Sequence, residues 1–190
     1  MKLIIGLGNP TPEYRFTRHN AGFLAIDRIA KDFSIKLKKS LFSSLIGEND
    51  ISGEKIILMK PLTFMNLSGE AVSLVINKKK INLEDIVIIC DDTNLDLGRL
   101  RIRKFGTSGG HNGLASVIEH IGTNEFARLR IGINTQKKIK DLSEYVLEEF
   151  SERELKVIDK VLGAVSDATR VYLEKGIDIA MTNFNKMIVS

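Results

Sequence analysis

The chain has 190 residues, 43% of them hydrophobic and 27% charged, with a formal net charge of +4. That length and balance predict one domain spanning residues 1–190 with a core of its own, and they exclude a disordered or fibrous chain. A lone cysteine rules out an internal disulfide and suits a reducing compartment, and no signal segment or apolar run of about 18 residues is present, so a cytoplasmic protein without membrane contact is expected.

In chain order, "KLIIGLG" (2–8) is a short apolar run closed by Asn9-Pro10 and reads as a buried strand. From Asn20 onward, Phe23, Ile26, Ile29, Ala30 and Phe33 keep helical spacing, with Asn20 placed to cap that helix. "LFSSLIG" and "EKIILM" flank "ENDISG" and read as a hairpin. "NLSGEAVSLVINKKK" is helical, with Asn66 available as its cap. "DIVIIC" (85–90) is a second fully apolar strand, and "RLRIRK" alternates as a strand should. "HNGLASVIEHIG" opens a helix and "RLRIGI" is a strand. The stretch from Ser151 to Gly176 is a long helix, because Ser151 and Glu154 make a capping-box pattern and Gly176 supplies the stop. There is no repeat, low-complexity tract or linker. Strands alternating with helices predict an α/β fold with a mixed, mostly parallel twisted sheet.

Several short patterns carry chemistry. "GLGNPT" (6–11) follows a strand, but a dinucleotide fingerprint needs glycine where Thr11 stands, and Pro10 and Pro12 prevent a helix from starting at Gly8. What remains is a turn at the carboxyl end of a central strand, which puts Asn9 where such folds build sites. "GTSGG" (106–110) matches G-x-S-x-G in a strand-to-helix setting. A serine triad would need an acid and then a histidine downstream of Ser108, and only His111 and His120 follow it, with Glu119 abutting His120. The loop reads better as a glycine-rich approach to a helix whose free N–H groups suit an anion or an ester oxygen. Cys90 ends an apolar strand as a small buried hydrophobe, and the histidines lack metal-ligand spacing. Asp91, Asp92 and Asp96 cluster after "DIVIIC", either as a solvated turn or as a source of a carboxylate for a histidine. Arg99, Arg101 and Arg103 share one face of their strand, and Lys104, Arg128 and Arg130 lie in the same half of the chain. These suit either a solvated edge or a grip on phosphate. The runs "KLKK", "KKK" and "KKIK" read as solvated faces. Phe64 and Met65 suit a core as well as a site.

Taken together, "IIGLGNP.PEY..TRHNAGF", "KPLTFMNLSGEAV", "DD...LG..R.R" and "G.SGGHNGL" resemble the bacterial peptidyl-tRNA hydrolases. The "FARLRIGI" strand follows at the family's spacing. The blocks cover residues 3 to about 133 of the chain. The resemblance implies cleavage of the ester joining a peptide to the 3′-terminal ribose of tRNA, after the peptidyl-tRNA has dropped off the ribosome. It also implies a monomer whose mixed sheet is surrounded by helices, with neither metal nor cofactor. Residue by residue, it implies that His19 is the catalytic base, Asp91 the acid paired with it, and Asn9 the residue that tells blocked from free amino groups. Tyr14, Phe64, Asn66 and Asn112 fall at substrate-contacting positions, and Met65 lines the same crevice. Arg103 or Lys104, with Arg130, matches a clamp on acceptor-stem phosphate. The acid loop departs from the family's usual D-D-L-D-L-P, since "DDTNLD" has Asn94 for an acid and Asp96 where proline is usual.

The chemistry is coherent without the family. An activated ester needs a water, a base and donors for the oxyanion, and no covalent nucleophile. Neutral His19 can take a proton from water, a carboxylate can fix its tautomer, and asparagine amides can donate to developing negative charge. The competing readings are a serine esterase acting through Ser108 and a basic RNA-binding module without catalysis.

Overall fold

The protein is described by a computed structural model covering residues 1–135 and 139–189, so the first half of the "KKIK" run lies outside the described residues. One sheet of seven strands organises it: β1 (Lys2–Gly6), β2 (Lys38–Ser40), β3 (Ser44–Ile51), β4 (Glu54–Pro61), β5 (Ile86–Asp96), β6 (Leu100–Arg103) and β7 (Ala127–Asn134). Their order is β2-β3-β4-β1-β5-β7-β6. The four central strands β4, β1, β5 and β7 run parallel, and β2, β3 and β6 add antiparallel edges. β1, β4 and the first part of β5 are apolar on both faces because both are covered. Leu3, Ile5, Ile57 and Ile88 face one core, while Ile4, Ile56, Leu58 and Ile89 face the other.

The helices divide accordingly. α1 (Ala21–Asp32), α5 (Glu152–Lys175) and α6 (Ile177–Phe184) contribute to one core; α2 (Ser68–Lys79) and α3 (Asn112–Ile121) contribute to the other. The chain leaving β1 thus turns to one face and the chain leaving β4 turns to the other. Their parting opens a crevice at the carboxyl ends of the strands. A short helix, α4 (Leu142–Leu147), covers that end, and neither it nor α6 and β2 was read from the sequence. α1 packs close to the sheet because residue 22 is glycine. A Cβ there would lie 2.4 Å from the Ile89 carbonyl oxygen and 2.5 Å from that of Leu7. This close approach sets the residues just before α1 against the end of β5.

The predicted apolar face of α1 is buried at all five positions, and α5 carries both halves of its capping box and stops at Gly176. Several boundaries differ from expectation. The hairpin strands extend through "ENDI" and turn at Ser52-Gly53, both at positive φ as a tight hairpin turn requires. β5 runs on to Asp96, so Asp91 and Asp92 belong to a strand and not to a solvated turn; pairing with β7 carries them through that stretch, with a register shift between Asp92 and Asp96. Asn66 does not cap α2. It sits exposed in a 3-10 turn (Met65–Leu67), and the helix starts at Ser68. Asn20 makes no side-chain cap either, because its amide is engaged elsewhere.

Candidate active site

His19 lies in a 3-10 turn (Arg18–Asn20) ahead of α1, and its ring meets the end of β5. Nδ1 is 2.9 Å and 3.1 Å from the two oxygens of Asp91. Asp91 also receives a second imidazole, for His111 Nε2 lies 3.1 Å from the same Oδ1. The two rings are 4.7 Å apart between centroids. All three side chains are nearly out of solvent, with Asp91 only 3% exposed. Burial alone pushes the Asp91 carboxyl up. The two histidines more than reverse that and hold it well below the usual carboxylate range.

The tautomers follow from the partners. His111 caps α3, and its Nδ1 accepts the Leu114 N–H at 3.2 Å. Nε2 must therefore carry the proton and donate it to Asp91. His19 donates from Nδ1 to the same carboxylate, which leaves its Nε2 lone pair as the one basic nitrogen in the pair without a partner among the described residues. The three side chains also form a group that could approach a cation. They do not suit one well, because a metal at His111 Nε2 would place a proton on Nδ1 against the Leu114 N–H.

The His19–Asp91 pair lines a cavity of about 290 Å³ whose other walls include Asp92, Thr93, residues 108–112, Leu114, Arg130 and one face of α4. Arg130 donates to Asp92 at 3.2 Å and to the Thr107 carbonyl at 2.8 Å. Arg128 is fully buried. It donates to the carbonyls of Gly106, Thr107, Asn124 and Phe126, tying the glycine-rich loop to the sheet. It is therefore no part of a surface that grips phosphate, contrary to its grouping by sequence. Burial, and then the neighbouring Arg130, pull its pKa down to about 10, so it remains a cation at neutral pH.

Asn9 is 6% exposed and lies where the chains leaving β1 and β4 part. Its side-chain oxygen accepts the Met65 N–H at 2.9 Å. Asn20 clamps its backbone from both sides, accepting from Asn9 N–H at 2.7 Å and donating to Asn9 C=O at 3.0 Å. That double bond occupies the amide expected to cap α1. The Asn9 Nδ2 group, its orientation thus fixed, has no partner among the described residues. Met65 packs beneath, its sulfur filling the space that glycine leaves at position 113.

Of the other residues singled out by sequence, Asn112 reaches the cavity as the first residue of α3. Tyr14, Phe64 and Asn66 stand outside its lining, Phe64 and Asn66 exposed on the turn before α2. Arg103 is exposed on β6, and Lys104 beyond it pairs with Asp178 at 2.8 Å. Ser108 lines the cavity without a histidine partner among the described residues, and both nitrogens of His111 are already used. Sequence reasoning underrated His111. Histidine is not among the preferred helix caps, so nothing local marked it; in the structure, capping with one nitrogen aims the other at Asp91.

An imidazole–carboxylate pair at the carboxyl ends of the parallel strands defines a proton-transfer site of the kind that hydrolases use. The comparisons name the family. The peptidyl-tRNA hydrolase family model matches residues 3–190. A peptidyl-tRNA hydrolase of Thermoanaerobacter sp. (strain X514) is 51% identical over 97% of this chain and all of its own length, and that of Bacillus anthracis is 45% identical with the same coverage. The crystal structure of peptidyl-tRNA hydrolase from Acinetobacter baumannii superposes with a TM-score of 0.93 at 33% identity, covering 99% of this chain and 96% of that one. The chain belongs to the peptidyl-tRNA hydrolase family, and its activity is the hydrolysis of peptidyl-tRNA. Among the described residues no helix is long and apolar enough to cross a membrane.

Proposed function

We propose that His19 is the general base of this hydrolysis. Its unpartnered Nε2 takes a proton from a water bound in the cavity, and that water attacks the ester carbonyl. The Nδ1–H bond to Asp91 carries the argument. It fixes the ring so that Nε2 presents a lone pair, and it places a buried carboxylate beside the imidazolium that forms. His111 donates to the same oxygen and holds the carboxylate in place from the α3 side. Amides at Asn112 and Asn9 supply donors, the first for the oxyanion and the second for the peptide carbonyl beyond the scissile ester. A free aminoacyl ester lacks that carbonyl, which is the basis of selectivity at Asn9. Tyr14, Phe64, Met65 and Asn66 flank the path of the peptide.

The tRNA lies along β6, with acceptor-stem phosphates on Arg103 and Arg130 and a weaker contribution from Lys104, since Asp178 competes for it. The enzyme acts as a cytoplasmic monomer of one domain. The deciding assay is turnover of N-acetylaminoacyl-tRNA by wild type, His19→Ala and Ser108→Ala. Loss in the first variant and retention in the second are expected. Loss through Ser108, with His19→Ala active, would install the serine reading instead.

A further inference from the structure

Arg18 precedes His19 and is 4% exposed, an unusual burial for a cation. Its guanidinium spans two turns of chain. Nη1 donates to the Glu148 carbonyl at 3.2 Å, the Glu148 carboxylate at 3.1 Å and the Glu149 carbonyl at 3.2 Å. Nη2 donates to both oxygens of Glu154, at 3.0 and 3.2 Å. The ring of Tyr145 lies 4.4 Å from its charge centre and that of Phe150 lies 5.7 Å away. The main chain joins in, since Arg18 N–H donates to Glu148 C=O at 3.1 Å and Phe150 N–H donates to Phe16 C=O at 3.0 Å. Every one of these partners lies in or just after α4, or at the start of α5.

α4 is six residues long, too short to hold its place by helix stability alone. Yet Leu142, Ser143 and Val146 on it form one wall of the cavity that His19 lines. On the far side, α4 is tied to β7 by the Tyr145 hydroxyl, which donates to the Ile133 carbonyl at 2.6 Å. His19 itself is held separately, by Asp91 and by the Asn20–Asn9 lock. We infer that Arg18 is a positioning residue that fixes α4 as the wall of the substrate cavity, in register with the catalytic turn. The inference rests on the reading of His19 and its cavity given above. A planar guanidinium is required because a lysine ammonium cannot bond three carbonyl or carboxylate groups on one chain while forking onto a second carboxylate.

The test is Arg18→Met and Arg18→Lys, assayed on N-acetylaminoacyl-tRNA beside wild type, with limited proteolysis as a second readout. Wild-type turnover tests the functional reading; only the ratio of variant to wild type tests Arg18. KM should rise about tenfold in Arg18→Met, the worth of one or two hydrogen bonds to substrate, and kcat should change less than KM. Arg18→Lys should recover part of the loss, and new cleavage should be confined to residues 141–150. Tyr145→Phe, which loosens α4 from the β7 side without stranding a charge, should shift KM in the same direction and serves if Arg18→Met does not fold. A fall in kcat that equals or exceeds the rise in KM, or unchanged parameters in a folded variant, overturns the inference.

Discussion

Replacing Asp91 by asparagine removes one charge and almost no volume. In the wild type, the negative charge lies 2.9 Å from the nitrogen that shares the imidazolium charge during proton transfer. With charge centres about 4 Å apart and an effective dielectric near 20, the pair is worth about 4 kcal/mol. Converted at about 1.4 kcal/mol per decade, the variant should lose about 10³-fold in kcat. An additional loss arises if the new amide N–H turns toward His19, for it would draw the Nδ1 lone pair and leave the proton on Nε2. The control is Asp92→Asn. Asp92 bonds Arg130 and makes no hydrogen bond to either histidine, so kcat should stay within about threefold of wild type. Both are read by steady-state cleavage of N-acetylaminoacyl-tRNA, with circular dichroism to confirm folding. An Asp91→Asn enzyme within about tenfold of wild type, with Asp92→Asn inactive, would show that the carboxylate was misassigned.

The remaining expectations are as follows. Asn9→Ala removes the free donor, so the preference for N-acetylated over free aminoacyl-tRNA should collapse, with some loss of melting temperature from the orphaned Met65 N–H; equal loss on both substrates would make Asn9 a turn residue only. Neutralising Arg103 and Arg130 together should raise KM and lower the log–log salt slope by about 0.7–0.9 for each phosphate no longer neutralised, without affecting a minimal ester that lacks the tRNA body. Burial pushes the Glu154 carboxyl up, but the Ser151 and Arg18 bonds outweigh it and leave the group below its ordinary value of 4.5. A depressed carboxylate stabilises the fold above its unfolded pKa and stops doing so as pH falls through the folded one. Glu154→Gln should therefore flatten the drop in melting temperature below about pH 4.5; an unaltered slope there would refute this. Gly69→Ala should destabilise the fold at the upper end of the 1–3 kcal/mol typical of overpacking, about 3 kcal/mol, because the new Cβ would meet the Ser116 backbone oxygen at 2.1 Å, and denaturant melts would measure it.

How much of this was legible depended on whether the signal was local. The buried strands announced themselves as apolar runs, and α5 carried its cap and its stop in its own residues. The capping expected of Asn20 and Asn66 fails for different reasons: nothing local says that a partner eleven residues away takes the Asn20 amide, or that a 3-10 turn separates Asn66 from the start of α2. Arg128 looked like its neighbour Arg130, since alternation tells which face of a strand a residue shares but not whether a loop will cover it. Nothing local separates Asp91 from Asp92, and only the family resemblance points to the first. The structure supplies the physical distinction, as the two alternate along β5 and only the first meets the imidazoles. Arg18 was invisible as an anchor because its partners lie about 130 residues further on.

The placement of charge explains how a cavity floored by two carboxylates can serve a polyanion. Asp91 is buried beneath two imidazole N–H donors and presents little field to solvent. Asp92 is paired with Arg130. The exposed cations without a carboxylate partner among the described residues include Arg101 and Arg103, which stand on β6 opposite Arg130 and Arg128. On the proposed reading, tRNA is attracted to this edge strand and not to the floor of the cavity. Arg130 stands at the junction. For a phosphate to engage it fully, the Asp92 carboxylate must yield, so the net gain is the difference between two ion pairs and not the value of one. On the proposed reading, that exchange makes the Arg130 contact weaker than a free guanidinium would give, so neutralising Arg103 should raise KM more than neutralising Arg130.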